Sequence, residues 1–262
     1  MQFAPVANLA IYEELLSRGQ LGTYHLLIAT EVAKDWWRWS NFWSPMGPTW
    51  NVKRFIIMDN GLIEAGAATD PQTLKEAADA VGASCIVLPD VLGDAAKTIK
   101  AAQAAFPELK QLGYPLMGVI QGRNWDEVAL VLDLYVRMGI QYLSIPRVMV
   151  EIFGTRIKLI TRCSGLAMPI HLLGFSENLW DDVMSARQPG VMGIDSAVPL
   201  WYPGILPPTP PTQANFGPRP KDYWSMDPNT VNYDNVERVR TWLKLVPGVR
   251  TVEEPQGREA TP

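Results

Sequence analysis

The stretch PLMGVIQG (115–122), with NWDEVALVLDLYVRMG (124–139) and QYLSIPR (141–147) behind it, decides the fold. A short run that is apolar throughout, a polar turn, and then apolar residues at helical spacing make a strand–helix–strand unit. Asn124 has the side chain of an N-cap, and Gly139 ends the helix as a C-terminal glycine does. Strands without polar alternation are covered on both faces, which argues for parallel pairing with the helices as crossovers.

The same unit recurs outward in both directions. Further strand-like runs are YHLLIAT (24–30), RFIIMD (54–59), CIVLPD (85–90), PIHLLGF (169–175) and VMGIDS (191–196). Helical spacing falls between them at 70–81, 94–106, 149–163 and 176–186, the last with Ser176 as its expected N-cap. Seven such units in 262 residues predict an α/β chain folded as a (β/α)8 TIM barrel, one domain over 1–246. The eighth strand is expected after residue 200, where eight prolines crowd a C-terminal insertion at about 203–231 that no ordinary ladder accommodates. A last helix, 233–246, precedes a polar tail, 247–262, expected to be mobile.

Composition narrows the chemistry. Hydrophobic residues at 47% and charged residues at 19% suit a globular core, and no apolar run reaches the roughly 18 residues of a membrane span. The first residues lack the basic-then-apolar order of a signal peptide, so a soluble, cytoplasmic protein is expected. Two cysteines and two histidines argue against a disulfide framework and against a metal site. A net charge of −4 requires any nucleic-acid contact to be a local basic surface.

In a parallel barrel the carboxyl ends of the strands share the rim that carries the active site. Those ends read Asp59, Asp90, Gln121, Arg147, Gly174 and Asp195, the first three spaced 31 residues apart. Three carboxylates converging on one cavity raise one another's pKa, which suits one to attack and another to carry a proton. Glycosyl transfer through an oxocarbenium-like transition state is the reaction class that most often uses such a pair. An aspartate nucleophile then gives a covalent glycosyl intermediate with net retention, needing no metal or redox cofactor.

At these residues the chain resembles the tRNA-guanine transglycosylase superfamily, whose barrel exchanges a guanine base for a 7-deazaguanine. MDNG (58–61) resembles the family's D-S-G-G strand end, LPD (88–90) its F-D-E segment and GVIQG (118–122) its G-I-V-Q-G signature. IHLLGFS (170–176) is similar to Y-L-M-G-V-G, and GIDSAVP (193–199) to the nucleophile segment F-D-C-V-M-P, in the family's order over about 52–200. The resemblance implies Asp195 as nucleophile and Asp59 as general acid/base. It implies Asp90 and Gln121 on the purine edge, Leu173 and Gly174 in the base pocket, and Asn60 and Gly122 beside them. Glu151, four residues after Arg147, stands where the family has an acid that helps read the base, although Ile145, Pro146 and Arg147 replace its Gly-Gly-Leu. The family's C-terminal zinc motif is absent, and this short form resembles the phage and genomic-island branch that places 7-deazaguanines such as preQ0 into DNA.

A base inside a duplex must be flipped out to reach such a pocket, so its rim is expected to contact phosphates. Candidates are Arg147, Arg156 and Lys158, then Arg219 in the proline-rich segment. The biased stretch KDWWRWSNFWSPMGPTWNVKR adds Trp36, Trp37 and Arg38, either as a stacking surface or as an apolar lid or core helix. His171 is expected to be a hydrogen-bonded interior residue. The reading is guanine exchange in DNA, with DNA and a free 7-deazaguanine base as partners, no membrane, and a homodimer left open. Its alternatives are the same exchange in tRNA, a carboxylate-dependent nucleoside or glycoside hydrolase, and a barrel that only binds nucleic acid.

Overall fold

A computed structural model describes residues 2–49, 54–62, 66 and 69–244. Eight strands form one sheet: β1 (Gln2–Pro5), β2 (Tyr24–Ile28), β3 (Phe55–Asp59), β4 (Cys85–Val87), β5 (Leu116–Val119), β6 (Tyr142–Pro146), β7 (Ile170–Leu173) and β8 (Val191–Ser196). Their order is β1-β8-β7-β6-β5-β4-β3-β2, with every ladder parallel. β1 and β2 pack side by side at the remaining junction, without a ladder between them among the described residues, so the sheet is a nearly closed TIM barrel.

The eighth strand is not where the sequence reading put it. It is β1, QFAP, which pairs with β8 from Gln2 opposite Gly193 to Pro5 opposite Ser196. Four residues ending in proline show no period, whereas burial of the last three comes from neighbours distant in the chain. The described residues of 203–231 carry no strand. They strap the final helix instead, for the Trp242 indole donates to the carbonyls of Pro207 (3.2 Å) and Pro208 (3.0 Å).

Helices cover the outside: α1 (Leu9–Ser17), α2 (Ala29–Lys34), α3 (Trp36–Trp43), α4 (Pro71–Val81), α5 (Ala95–Gln111), α6 (Trp125–Met138), α7 (Val148–Phe153), α8 (Ile157–Cys163), α9 (Leu179–Ala186), α10 (Val198–Trp201) and α11 (Asp234–Lys244). Asn124 caps α6 through the Glu127 amide, and Gly139 ends it at φ 68°. The cap of α9 is Asn178, not Ser176, whose hydroxyl donates to Asp182 instead. The expected helix 149–163 is broken at Gly154, φ 79°, into α7 and α8. The tail from Pro247 lies outside the described residues.

Two apolar clusters separate by strand parity. One lies between sheet and helices; the other, with Ala4, Val6, Tyr24, Leu26, Ile57, Cys85, Val87, Met117 and Val119, fills the barrel. Both cysteines are buried free thiols. Among the described residues no helix is long and apolar enough to cross a membrane.

Arg156, expected to meet phosphate, is instead part of this scaffold. Its guanidinium and the Asp182 carboxylate are both fully buried and paired at 2.5 Å. Its other nitrogen donates to Gly174 O at 3.0 Å, and Asp182 also accepts from the Ser176 amide at 2.7 Å. A side chain with no exposed surface cannot reach a phosphate, and its charge is used to lock the ends of β6 and β7 to α8 and α9. Arg156→Ala leaves a buried carboxylate uncompensated and is expected to cost about 3–5 kcal/mol in urea unfolding, whereas Arg156→Met with Asp182→Leu recovers most of it. A single-variant loss below about 1 kcal/mol would contradict this role.

Candidate active site

Because all strands run one way, their carboxyl ends open on one mouth. On β3, Phe55 and Ile57 face the inner cluster, and a period of two puts Asp59 on that side. On β8 the marker is Gly193. A Cβ there would stand 2.7 Å from Cε1 of the inward-facing Tyr24, so Gly193 faces inward and Asp195, two residues on, does so too. Asp195 keeps 7% of its surface exposed, far from a carboxylate in bulk water.

Among the described residues one oxygen of Asp195 carries the hydrogen bonding: Oδ1 meets His171 Nε2 at 2.9 Å and accepts from the Gly174 amide at 3.2 Å. His171 Nδ1 lies 2.7 Å from the Tyr24 hydroxyl. Burial first, then the neighbouring Cys85 and Asp195, push the Tyr24 phenol well above its ordinary range, so the hydroxyl stays protonated. The Asp195 carboxylate only accepts, so Nε2 carries the proton that donates to it and Nδ1 accepts from the Tyr24 hydroxyl, a tautomer assigned from the network. Oδ2 receives no hydrogen bond among the described residues. His171 is interior and hydrogen-bonded, as expected, but its partner is the proposed nucleophile. The sequence signal that it shares the inward face of β7 with Leu173 was there to be read.

Asp59, Asp90 and Gln121 occupy the ends of the consecutive strands β3, β4 and β5, across the ring from β8. Asp59 Oδ1 accepts from the Gly61 amide at 2.7 Å. Asn60, 2% exposed, donates to Leu88 O at 3.1 Å and accepts from the Leu62 amide at 2.9 Å, tying the end of β3 to the segment that carries Asp90. Gln121 is fully buried, donates to Asp90 Oδ2 at 2.7 Å and accepts from the Gly93 amide at 2.8 Å. Gln121 thus holds the Asp90 carboxylate, and Asn60 holds together the turns that follow β3 and β4. Gly122 is buried as well; a Cβ on it would meet Glu127 and Val128 at 3.1 Å, so it lets the chain turn into α6. Burial pushes the Asp90 carboxyl up to about 6, against the opposing pull of the Gln121 hydrogen bond.

Arg147 is exposed at the end of β6, where its amide donates to Leu173 O at 2.9 Å. Its stem lies over Gly174, with Cδ 3.5 Å from where a Cβ would be. Arg147, Leu173 and Gly174 therefore border the mouth beside Asp195. Glu151 on α7 and Lys158 on α8 are exposed, the lysine donating to Phe153 O at 3.0 Å.

The tryptophan segment divides. Trp39, Phe42 and Trp43 are buried, and Trp43 packs on His25 of β2 at 4.8 Å between ring centroids, which places α3 in the outer helical layer. Trp36 and Trp37 are exposed, and Arg38 pairs with Glu13 (3.1 Å) and Asp35 (3.2 Å) beside a shallow 380 Å³ cavity between α1 and α3. The structure does not bring these three residues to Asp195. Trp50 and Lys53 lie outside the described residues. No group of three or more metal-ligating side chains occurs among the described residues.

Compared with known proteins, the chain matches no family model and no curated protein. What can be said of its chemistry rests on the barrel and on this mouth.

Gly193→Ala would set a methyl 2.6 Å from the Gln2 carbonyl oxygen of β1 and 2.7 Å from the Tyr24 ring, and should cost about 1–3 kcal/mol in chemical denaturation, as overpacking does; wild-type stability would show that strand and ring have room to shift. Asp90 gives a pH test. Its folded pKa is raised, so the neutral carboxyl stabilises the fold below about pH 4 and that contribution is lost as pH rises through about 6. Asp90→Asn should gain on wild type progressively between those limits, by up to about 3 kcal/mol once pH 7 is reached, whereas a difference flat with pH in urea unfolding would refute the assignment.

Proposed function

We propose that this chain is a base-exchange glycosyltransferase that replaces guanine in DNA by a 7-deazaguanine through a covalent glycosyl-aspartate. The observation that carries the reading is Asp195, clamped on Oδ1 by His171 and Gly174 with Oδ2 left open, on the same mouth as Asp59 and Asp90.

In the first displacement Asp195 Oδ2 attacks C1′ of the target nucleotide. The C1′–N9 bond breaks, and its electron pair leaves with guanine, which takes a proton from Asp59. In the second, the incoming base gives its N9 proton to Asp59 and attacks C1′, and the ester bond to Asp195 breaks. Two inversions give retention, and dividing one hard displacement into two lowers each barrier. Asp90, held by Gln121 and neutral or charged near pH 6, is suited to hydrogen-bond the purine edge in either sense. Arg147 at the rim supplies a cation for the backbone of a flipped-out nucleotide.

Labelled guanine or preQ0, offered in parallel with DNA and with tRNA, tests the reading. DNA incorporation, lost by at least about 10³-fold together with the covalent adduct in Asp195→Ala, is expected. Incorporation into tRNA alone would replace the substrate. Hydrolysis without added base would make the protein a glycosidase, and unchanged exchange by Asp195→Ala would end the proposal.

A further inference from the structure

The proline-rich segment carries an aromatic face back to the mouth. Tyr223 is buried and its hydroxyl donates to Val6 O, while the Asn8 side-chain amide donates to the carbonyls of Trp224 and Met226, each at 3.2 Å. Val6 and Asn8 directly follow β1, the Val6 amide donates to Ser196 O at 3.3 Å, and Ala4 is the ladder partner of Asp195. These bonds fix residues 223–226 at the carboxyl end of β1 and β8, the sector of the rim that holds Asp195.

The Trp224 indole does not turn away from that rim. It packs, half-buried, against the inner cluster of the barrel, beside which Leu173 and Ala197 also pack. Tyr223 meets it edge to face, centroids 5.0 Å apart, and the Arg219 guanidinium lies over both rings, 5.5 Å from Tyr223 and 5.7 Å from Trp224. An indole set at the rim sector that holds Asp195, fixed by its backbone on one side and by a cation on the other, is a rigid platform for a planar heterocycle.

We infer that Trp224 is the stacking wall of this site for a purine-like base, with Arg219 as the residue that positions the indole. The inference rests on the base-exchange reading for the identity of the occupant, but on the geometry alone for the platform. Asp90 would then address the edge of the ring system and Trp224 its face, so that planarity and edge pattern are recognised by different parts of the mouth.

The test is equilibrium binding of guanine, adenine, cytosine and preQ0 to the full-length wild type, Trp224→Phe and Trp224→Leu, with tryptophan emission recorded during each titration. Leucine preserves apolar packing and removes the aromatic face; phenylalanine keeps both. Expected are binding weakened at least 10-fold in Trp224→Leu and within about 3-fold of wild type in Trp224→Phe. A base-induced change in wild-type emission should shrink in Trp224→Phe although that variant still binds, a signature that a purely structural role would not produce. Trp224→Leu that binds like wild type overturns the platform and leaves base exchange standing. Trp224-dependent binding of adenine or cytosine in place of guanine and preQ0 supports the platform and removes the guanine reading. A wild type that binds none of the four overturns both.

Discussion

The barrel must keep a carboxylate inside itself, and the hydrogen bonds to one oxygen of Asp195 are what make this tolerable. A buried carboxylate without donors costs several kcal/mol, so the interior has to supply them. It does so across the barrel: Tyr24 on β2 donates to His171 on β7, which is not its neighbour, and His171 donates to Asp195 on the adjacent β8. This chain of side chains passes beneath β1, at the sector where β1 and β2 meet without a ladder among the described residues. The polar contact that orients the proposed nucleophile is therefore also a link across the least bonded junction of the sheet. Gly193 is the steric condition for it, since any side chain there would occupy the space of the Tyr24 ring.

A second layer fixes the other donor. The Gly174 amide reaches Asp195 because the chain turns at Gly174 with φ 71°, and the carbonyl of the same residue is held by Arg156. Arg156 is in turn fixed by Asp182 on α9, and Asp182 by Ser176. The path from a helix on the outside to a carboxylate on the inside is thus a continuous set of charge-assisted bonds, which restricts the position of Asp195 more than apolar packing alone.

What the sequence made legible was what repeats. Seven strands were readable because each is apolar throughout and followed by helical spacing, and Asp59, Asp90 and Asp195 could be placed at strand ends for that reason. QFAP was not readable, because four residues ending in proline have no period and are a strand only through pairing with β8. Ser176 and Asn178 are both good caps, and only the geometry chooses Asn178. Arg156 looked like surface charge because its partner, Asp182, lies 26 residues away and composition does not show pairing. The tryptophan stretch shows the same limit: bias in composition marks aromatic density, not whether it faces a mouth or coats the outside of a wall. The aromatic residue that does reach the mouth, Trp224, sits in a segment whose prolines drew attention away from it.

The arrangement separates three identical functional groups by environment alone. Asp195 has one oxygen committed to His171 and Gly174; Asp90, half-buried, is held by Gln121 and pushed up by desolvation to about 6; Asp59, half-buried at the end of β3, accepts from the turn that follows it. Carboxylates that are hydrogen-bonded and surrounded differently can take different parts in one reaction, whereas three equivalent ones would compete for the same proton. In the proposed exchange this division assigns attack, proton transfer and base recognition to separate strands. The division depends on buried neighbours, Tyr24, His171, Asn60 and Gln121, which touch no substrate in that mechanism. A site of this kind is determined less by its acids, which many barrels could place on a rim, than by the neighbours that make those acids unequal.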